Sequence, residues 1–166
     1  MLDFLFRRLT ADPGRGATLF EAVTRIARAP HWYVEGQVPD TLDGRFAVLS
    51  TVIALVLVRL EAGGEAGDVV SVALTERFIE AMEAEHRELG LGDPTLGKTV
   101  RRLVGSLARR TQLWRSPADD RQAARDSLYK NDVTPDAVDH SSRALQRLRA
   151  DLEEAGLADL AQGKIE

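Results

Sequence analysis

The chain of 166 residues contains no cysteine, so disulfides, thiolate metal sites and cysteine nucleophiles are excluded. Aromatic residues make up only 5%, which argues against a sheet-rich core and leaves few platforms on which bases could stack. A formal net charge of -4 gives no general attraction for nucleic acid. There is no apolar run of membrane-spanning length: the longest, "FAVLSTVIALVLV" at 46–58, lies between Arg45 and Arg59 and falls short of the roughly 20 residues a spanning helix needs. The start, "MLDFLFRRLTADPGRG", places its arginines after its apolar residues, the wrong order for a secretory signal. Also missing are a Gly-x-Ser-x-Gly elbow, a phosphate-binding glycine loop and a dinucleotide fingerprint. Nucleophilic catalysis and nucleotide binding therefore lack their usual residues, and no small-molecule substrate is implied.

What is present is helical. Ala, Leu, Arg and Glu dominate, the side chains that lose least on entering a helix. No stretch shows sustained period-two alternation. The punctuation predicts an all-α domain of about six helices around a hydrophobic central helix. The first runs from Ala17 to Ala29 and is ended by Pro30; the central one begins near Asp43 and stops at "EAGGEAG", read as a helix stop and flexible link. A third, Asp68 to Leu89, turns Leu74, Phe78, Met82 and Leu89 toward the core. "DPT" opens a fourth with Asp93 as cap, and "SPADD" and "TPDA" repeat that start signal at Ser116 and Thr134 for a fifth and a sixth ending near Ala155. The domain is placed at 17–155, between an N-terminal segment, 1–16, and a tail, 156–166, with little apolar surface. Within the N-terminal segment, Phe4 to Leu9 could meet a membrane surface as paired apolar and basic faces, or pack as a short helix.

Candidate chemistry is sparse. Glu83 and His86 have the Glu-x-x-His spacing of di-iron bundles, but no second copy exists, since His140 follows Ala137 and His31 sits among aromatics. No metal or other cofactor is expected. Asp40 and Asp43 have the types of an acid and base pair, yet a helix begins there, so Asp43 or Thr41 reads as its cap. The clearest local signal is the fourth helix. Between Pro94 and Ala118 it carries Lys98, Arg101, Arg102, Arg109, Arg110 and Arg115 with no carboxylate. At 100° per residue Lys98, Arg101, Arg102 and Arg109 share one face, opposite Leu96, Val100, Leu103, Leu107 and Trp114. Such a face either pairs with the acidic third helix or docks phosphate, anionic lipid or an acidic protein.

The stretch "HWYVEGQVPDTLDGRF" at 31–46, the hydrophobic helix after it, the acidic "LTERFIEAMEAEHRELGLGD" and the basic "LGKTVRRLVGSLARR" occur in an order that resembles the ubiquinol-cytochrome c chaperone family. The resemblance implies a small helical assembly factor rather than an enzyme. It implies binding of newly made cytochrome b or another subunit of the respiratory cytochrome bc1 complex, with a partner assembly factor or the ribosome nearby. With no targeting segment, a bacterial member is expected, cytoplasmic or peripheral at the inner membrane. The expected contact surface joins Trp32, Tyr33, Asp40, Asp43 and Arg45 of the loop to Lys98, Arg101, Arg102 and Arg109 of the fourth helix. The alternative is a nucleic-acid or ribosome-binding module using the basic helix 96–115.

Overall fold

The computed structural model describes residues 16–165. The Phe4 to Leu9 stretch lies outside them. Among the described residues there are seven α-helices, one short 3-10 turn and no strand, so the all-α expectation holds. The helices are α1 Ala17–Ala27, α2 Leu42–Glu61, α3 Gly64–Glu88, α4 Asp93–Arg115, α5 Asp120–Leu128, α6 Pro135–Glu154 and α7 Leu157–Ala161, with the 3-10 turn Pro30–Trp32 between α1 and α2.

Helix α2 is central because it is apolar all round. Val52, Ile53, Ala54, Leu55 and Val56 are consecutive and all buried, and α1, α3, α4, α5 and α6 each pack against it. Burying each such Val, Leu or Ile contributes about 1.5–3 kcal/mol. Its buried hydroxyls are satisfied within the helix: Ser50 donates to the Phe46 carbonyl and Thr51 to that of Ala47, both at 2.7 Å. At its far end Arg59 donates to the carbonyls of Leu152 (2.7 Å) and Ala155 (2.8 Å), which satisfies the C-terminal end of α6.

Several boundaries differ from the sequence reading. Helix α3 starts at Gly64, not Asp68. The glycines of "EAGGEAG" make a tight reversal rather than a flexible link: Gly64 has φ +57°, and a Cβ on Gly67 would lie 2.0 Å from the Leu60 carbonyl oxygen. At the other end Gly90, with φ +85°, closes a Schellman turn in which Leu91 N–H bonds the His86 carbonyl at 3.2 Å. That turn throws Leu89 outward, 62% exposed, where a core position was expected. Gly92, not Asp93, caps α4, and Asp119, not Ser116, caps α5 by accepting from Arg121 and Gln122 N–H. Thr134 caps α6 as expected. Within the segment read as a tail, Leu157–Ala161 forms α7, and Leu160 and Ile165 join the core.

Candidate functional site

The loop between α1 and α2 starts by closing the end of α1. Pro30 sets the 3-10 turn. From it Trp32 Nε1 donates to the Ile26 carbonyl at 2.8 Å, and Tyr33 Oη donates to that of Ala27 at 2.9 Å. These carbonyls belong to the last turn of α1, beyond the reach of regular i to i+4 donors; that of Ile26 also accepts from Ala29 N–H at 3.2 Å, so the indole is its second donor. Trp32 is only 1% exposed; it is a core residue and offers no contact surface, which corrects the sequence expectation. Its indole is drawn in because the same side chain supplies both apolar area and the donor α1 needs. Tyr33 is half-buried, and burial, with Asp40 nearby, holds its phenol above the ordinary value, so it remains a neutral donor.

From Gln37 to Phe46 the chain forms a ridge with a cleft on each side. Thr41 is the α2 cap, accepting from Gly44 N–H at 3.2 Å. Gly44 lies so close to the ridge that a Cβ there would sit 1.9 Å from the Pro39 carbonyl oxygen. The side chains then alternate. Asp40, Leu42 and Arg45 line one cleft, about 820 Å³, whose floor includes Phe20, Leu49 and Met82. Thr41 and Asp43 line the other, about 550 Å³, against α4 and the α5–α6 connection. Phe46 walls both. Asp40 and Arg45 form an exposed ion pair at 2.7 Å, and Asp43 pairs with Lys130 at 2.7 Å. Arg45 and Lys130 hold the Asp40 and Asp43 carboxyls below the ordinary range, leaving neither suited to take up a proton near neutrality.

The ubiquinol-cytochrome C chaperone family model matches residues 34–166, which takes in the ridge, the smaller cleft, the part of the larger cleft from Val34 onward and every helix from α2 onward. The chain belongs to that family. A crystal structure of the Cbp3 homolog from Brucella abortus is similar, with a TM-score of 0.77 and 28% identity over 100% of this chain and 96% of that one. A comparison with curated proteins gives no match. The family match begins immediately after Trp32 and Tyr33, so it takes in the ridge but not the aromatic pair that closes α1.

On α4 of this family member, Leu96, Val100, Leu103, Leu107 and Trp114 are buried, as the wheel predicts. Lys98, Arg101, Arg102 and Arg109 are exposed, and none makes an ion pair with a described residue. The anticipated pairing with acidic α3 is therefore not formed among the described residues. Arg102 and Arg109 line the smaller cleft with Asp43; Lys98 and Arg101 line neither. Trp114 is buried and donates to Ser127 Oγ at 3.0 Å, so the cationic face carries no aromatic platform. His86, of the Glu-x-x-His spacing, is buried with Nδ1 2.8 Å from the Met82 carbonyl oxygen. No metal-holding group of His, Cys, Asp and Glu occurs among the described residues.

Sequence reading missed three participants. Arg110 is one: it falls two turns after Leu103, beside the apolar stripe rather than on the cationic face, and that offset is the signal for a cation turned inward. Tyr129 is another. Its hydroxyl donates to the Gly36 carbonyl at 2.6 Å and lies 2.7 Å from Ser141 Oγ, fastening the loop to α6.

The third is His31, whose Nδ1 lies 3.1 Å from His140 Nε2. One of those two nitrogens must be unprotonated to accept. Burial first, then the His140 charge, with Arg147 also contributing and Glu35 opposing, lower the His31 pKa. A group with a lowered folded-state pKa contributes stability that is complete above its unfolded pKa, near 6.5, and is lost as pH falls through the folded value. The melting temperature is therefore expected to fall on acidification from about pH 7.5 to about 5.5. A His31→Asn chain is expected to show a shallower fall, read by thermal denaturation at both pH values; equal slopes would count against the pair.

Proposed function

We propose that this protein is a non-enzymatic assembly chaperone of the cytochrome bc1 complex that holds cytochrome b, or another subunit, before its incorporation. The observation that carries the reading is where exposed apolar surface lies. Val34 (68% exposed) and Leu42 (41%) line the larger cleft, and Leu89 follows directly on Glu88 at its edge. The floor of Phe20, Leu49, Ala81 and Met82 continues that surface inward. An apolar groove edged by Arg28, Asp40, Arg45, Glu85 and Glu88 suits reversible capture of an apolar segment of a membrane protein.

Among the described residues no helix is long and apolar enough to cross a membrane. The client would meet Tyr33, Asp40 and Arg45 at the groove, with Arg102 and Arg109 of α4 in the cleft across the ridge. A partner assembly factor, the ribosome or an anionic membrane surface would use what the client leaves free.

The test is photo-crosslinking from Val34 and Leu42 in cells, followed by identification of the attached protein. A bc1 subunit is the expected product. Val34→Asp with Leu42→Asp is expected to lower bc1 assembly severalfold while changing stability by no more than about 0.5 kcal/mol each, as exposed substitutions do. Normal cytochrome b and bc1 levels in a strain lacking the protein would remove the proposal.

A further inference from the structure

The smaller cleft holds a cation that the fold has not neutralised. Arg110 lies at its floor, mostly out of water, with the guanidinium 5.7 Å from the Phe46 ring centroid. All its hydrogen bonds go to neutral acceptors: the Ser127 carbonyl from Nε (3.2 Å) and Nη2 (2.7 Å), and Ser106 Oγ and carbonyl from Nη1. Desolvation, with Arg109 adjacent, pushes its pKa down to about 10, so it remains charged at neutral pH but at a cost. At the mouth Arg102 and Arg109 are exposed and make no ion pair with a described residue. The carboxylates that line the same cleft are already engaged. Asp43 pairs with Lys130, Asp126 accepts from Gln122 Nε2 at 2.7 Å, and Asp132 pairs with Arg125 at 3.4 Å. Arg102 also contributes to lowering the Asp43 pKa, which places it at the ridge side of the mouth.

The geometry points to this cleft as a recognition site for carboxylate side chains on an acidic segment of a partner protein, bound by Arg102, Arg109 and Arg110. Three arginines line one recess: Arg102 and Arg109 supply the forked donors that carboxylates accept, and Arg110 adds positive charge at the floor. A flat membrane could reach Lys98 and Arg101 but not a cation at the floor of a concave site. A phosphate dianion concentrates its charge at one point beside Asp43, Asp126 and Asp132, whereas an acidic segment spreads its carboxylates across Arg102, Arg109 and Arg110. The cleft thus provides a second attachment, polar and salt-sensitive, across the ridge from the apolar groove. The inference rests on the assembly-chaperone reading.

The experiment is fluorescence anisotropy of a fluorescein-labelled hexaglutamate peptide with the full chain at low salt. Arg102→Gln with Arg109→Gln is expected to weaken binding about tenfold or more, whereas Lys98→Gln with Arg101→Gln, the same charge change on the same helix outside the cleft, costs less than about threefold. Arg110→Met is expected to weaken it further; if that chain fails to fold, the paired variants still decide. Equal losses in the two pairs overturn the site, as does displacement of the peptide by inorganic phosphate at matched anion concentration. Binding to phosphatidylglycerol vesicles without binding to the peptide also overturns it. Intact cleft selectivity in a protein that proves irrelevant to bc1 assembly would count against the function alone. Lost selectivity with intact assembly would count against the site alone.

Discussion

Replacing Gly44 by alanine is expected to destabilise the protein by about 2–4 kcal/mol and to damage both clefts together. The added Cβ would stand 1.9 Å from the Pro39 carbonyl oxygen and 3.0 Å from its carbon. Those are backbone atoms, which cannot swing aside as the end of a side chain can. Either the first turn of α2 unwinds, at the expense of the Thr41 cap, or the ridge lifts away from the helix. Because Phe46, two residues on, walls both clefts, client capture through the groove and peptide binding in the cleft should fall in the same chain. Urea denaturation and the two binding assays check this. Gly97→Ala is the control: a Cβ there meets nothing within 4 Å, and the better helix former should add about 0.5–1 kcal/mol. Unchanged stability in Gly44→Ala would show that the ridge is not held against α2.

Trp32→Ala is expected to cost about 3–5 kcal/mol, the range for removing a buried aromatic side chain. The loss has two parts, a cavity against the core and the indole bond to the Ile26 carbonyl, which is left with the longer 3.2 Å bond from Ala29 N–H alone. Trp32→Phe keeps much of the volume and loses the donor, and should cost about 1–2 kcal/mol. Both are read by chemical denaturation. At a temperature where Trp32→Phe stays folded, its client crosslinking from Val34 should equal that of the unaltered chain. Full stability of Trp32→Ala combined with lost client capture would contradict the buried placement and return the indole to the contact surface.

The two substitutions show which parts of the molecule could be read from residues alone. The α4 wheel was legible because a cation at the wrong phase of a 3.6-residue period is visible in one dimension, and all five residues assigned to its inner face are buried. The central position of α2 was legible for a similar reason: a helix with no polar face has nowhere to go but inside. Trp32 was not legible. A tryptophan beside proline and tyrosine fits a contact loop and a helix closure equally well. What decides is the distance to a carbonyl six residues earlier. The glycines of 61–67 were misread because glycine serves both flexibility and close approach, and only the nearby Leu60 carbonyl separates the two. The offset of Arg110 from the cationic face was legible too, but not what it meets, since sequence spacing does not bring Phe46 and the Ser127 carbonyl of α5 near it. Of the contact residues expected from sequence, Asp43, Arg102 and Arg109 share one cleft and Tyr33, Asp40 and Arg45 the other. Their roles remain those proposed above.

The placement of α7 bears on when the molecule becomes complete. Gly163, at φ +71°, lies so close to α1 that a Cβ on it would stand 2.5 Å from the Thr18 carbonyl oxygen and 3.2 Å from Ala22 Cβ. Leu160 and Ile165 are buried in the core that α1 also lines, and α7 packs against both α1 and α3. Opposite ends of the described chain thus meet. A contact of that sequence separation closes late, since its loop entropy must be met before the contact is gained. During synthesis α1 can pack on α2 and α3 first, but the part of it that Gly163 and α7 cover stays open until residues 157–165 have left the ribosome. Among the described residues, closure of the α1 surface is thus completed only when α7 is made.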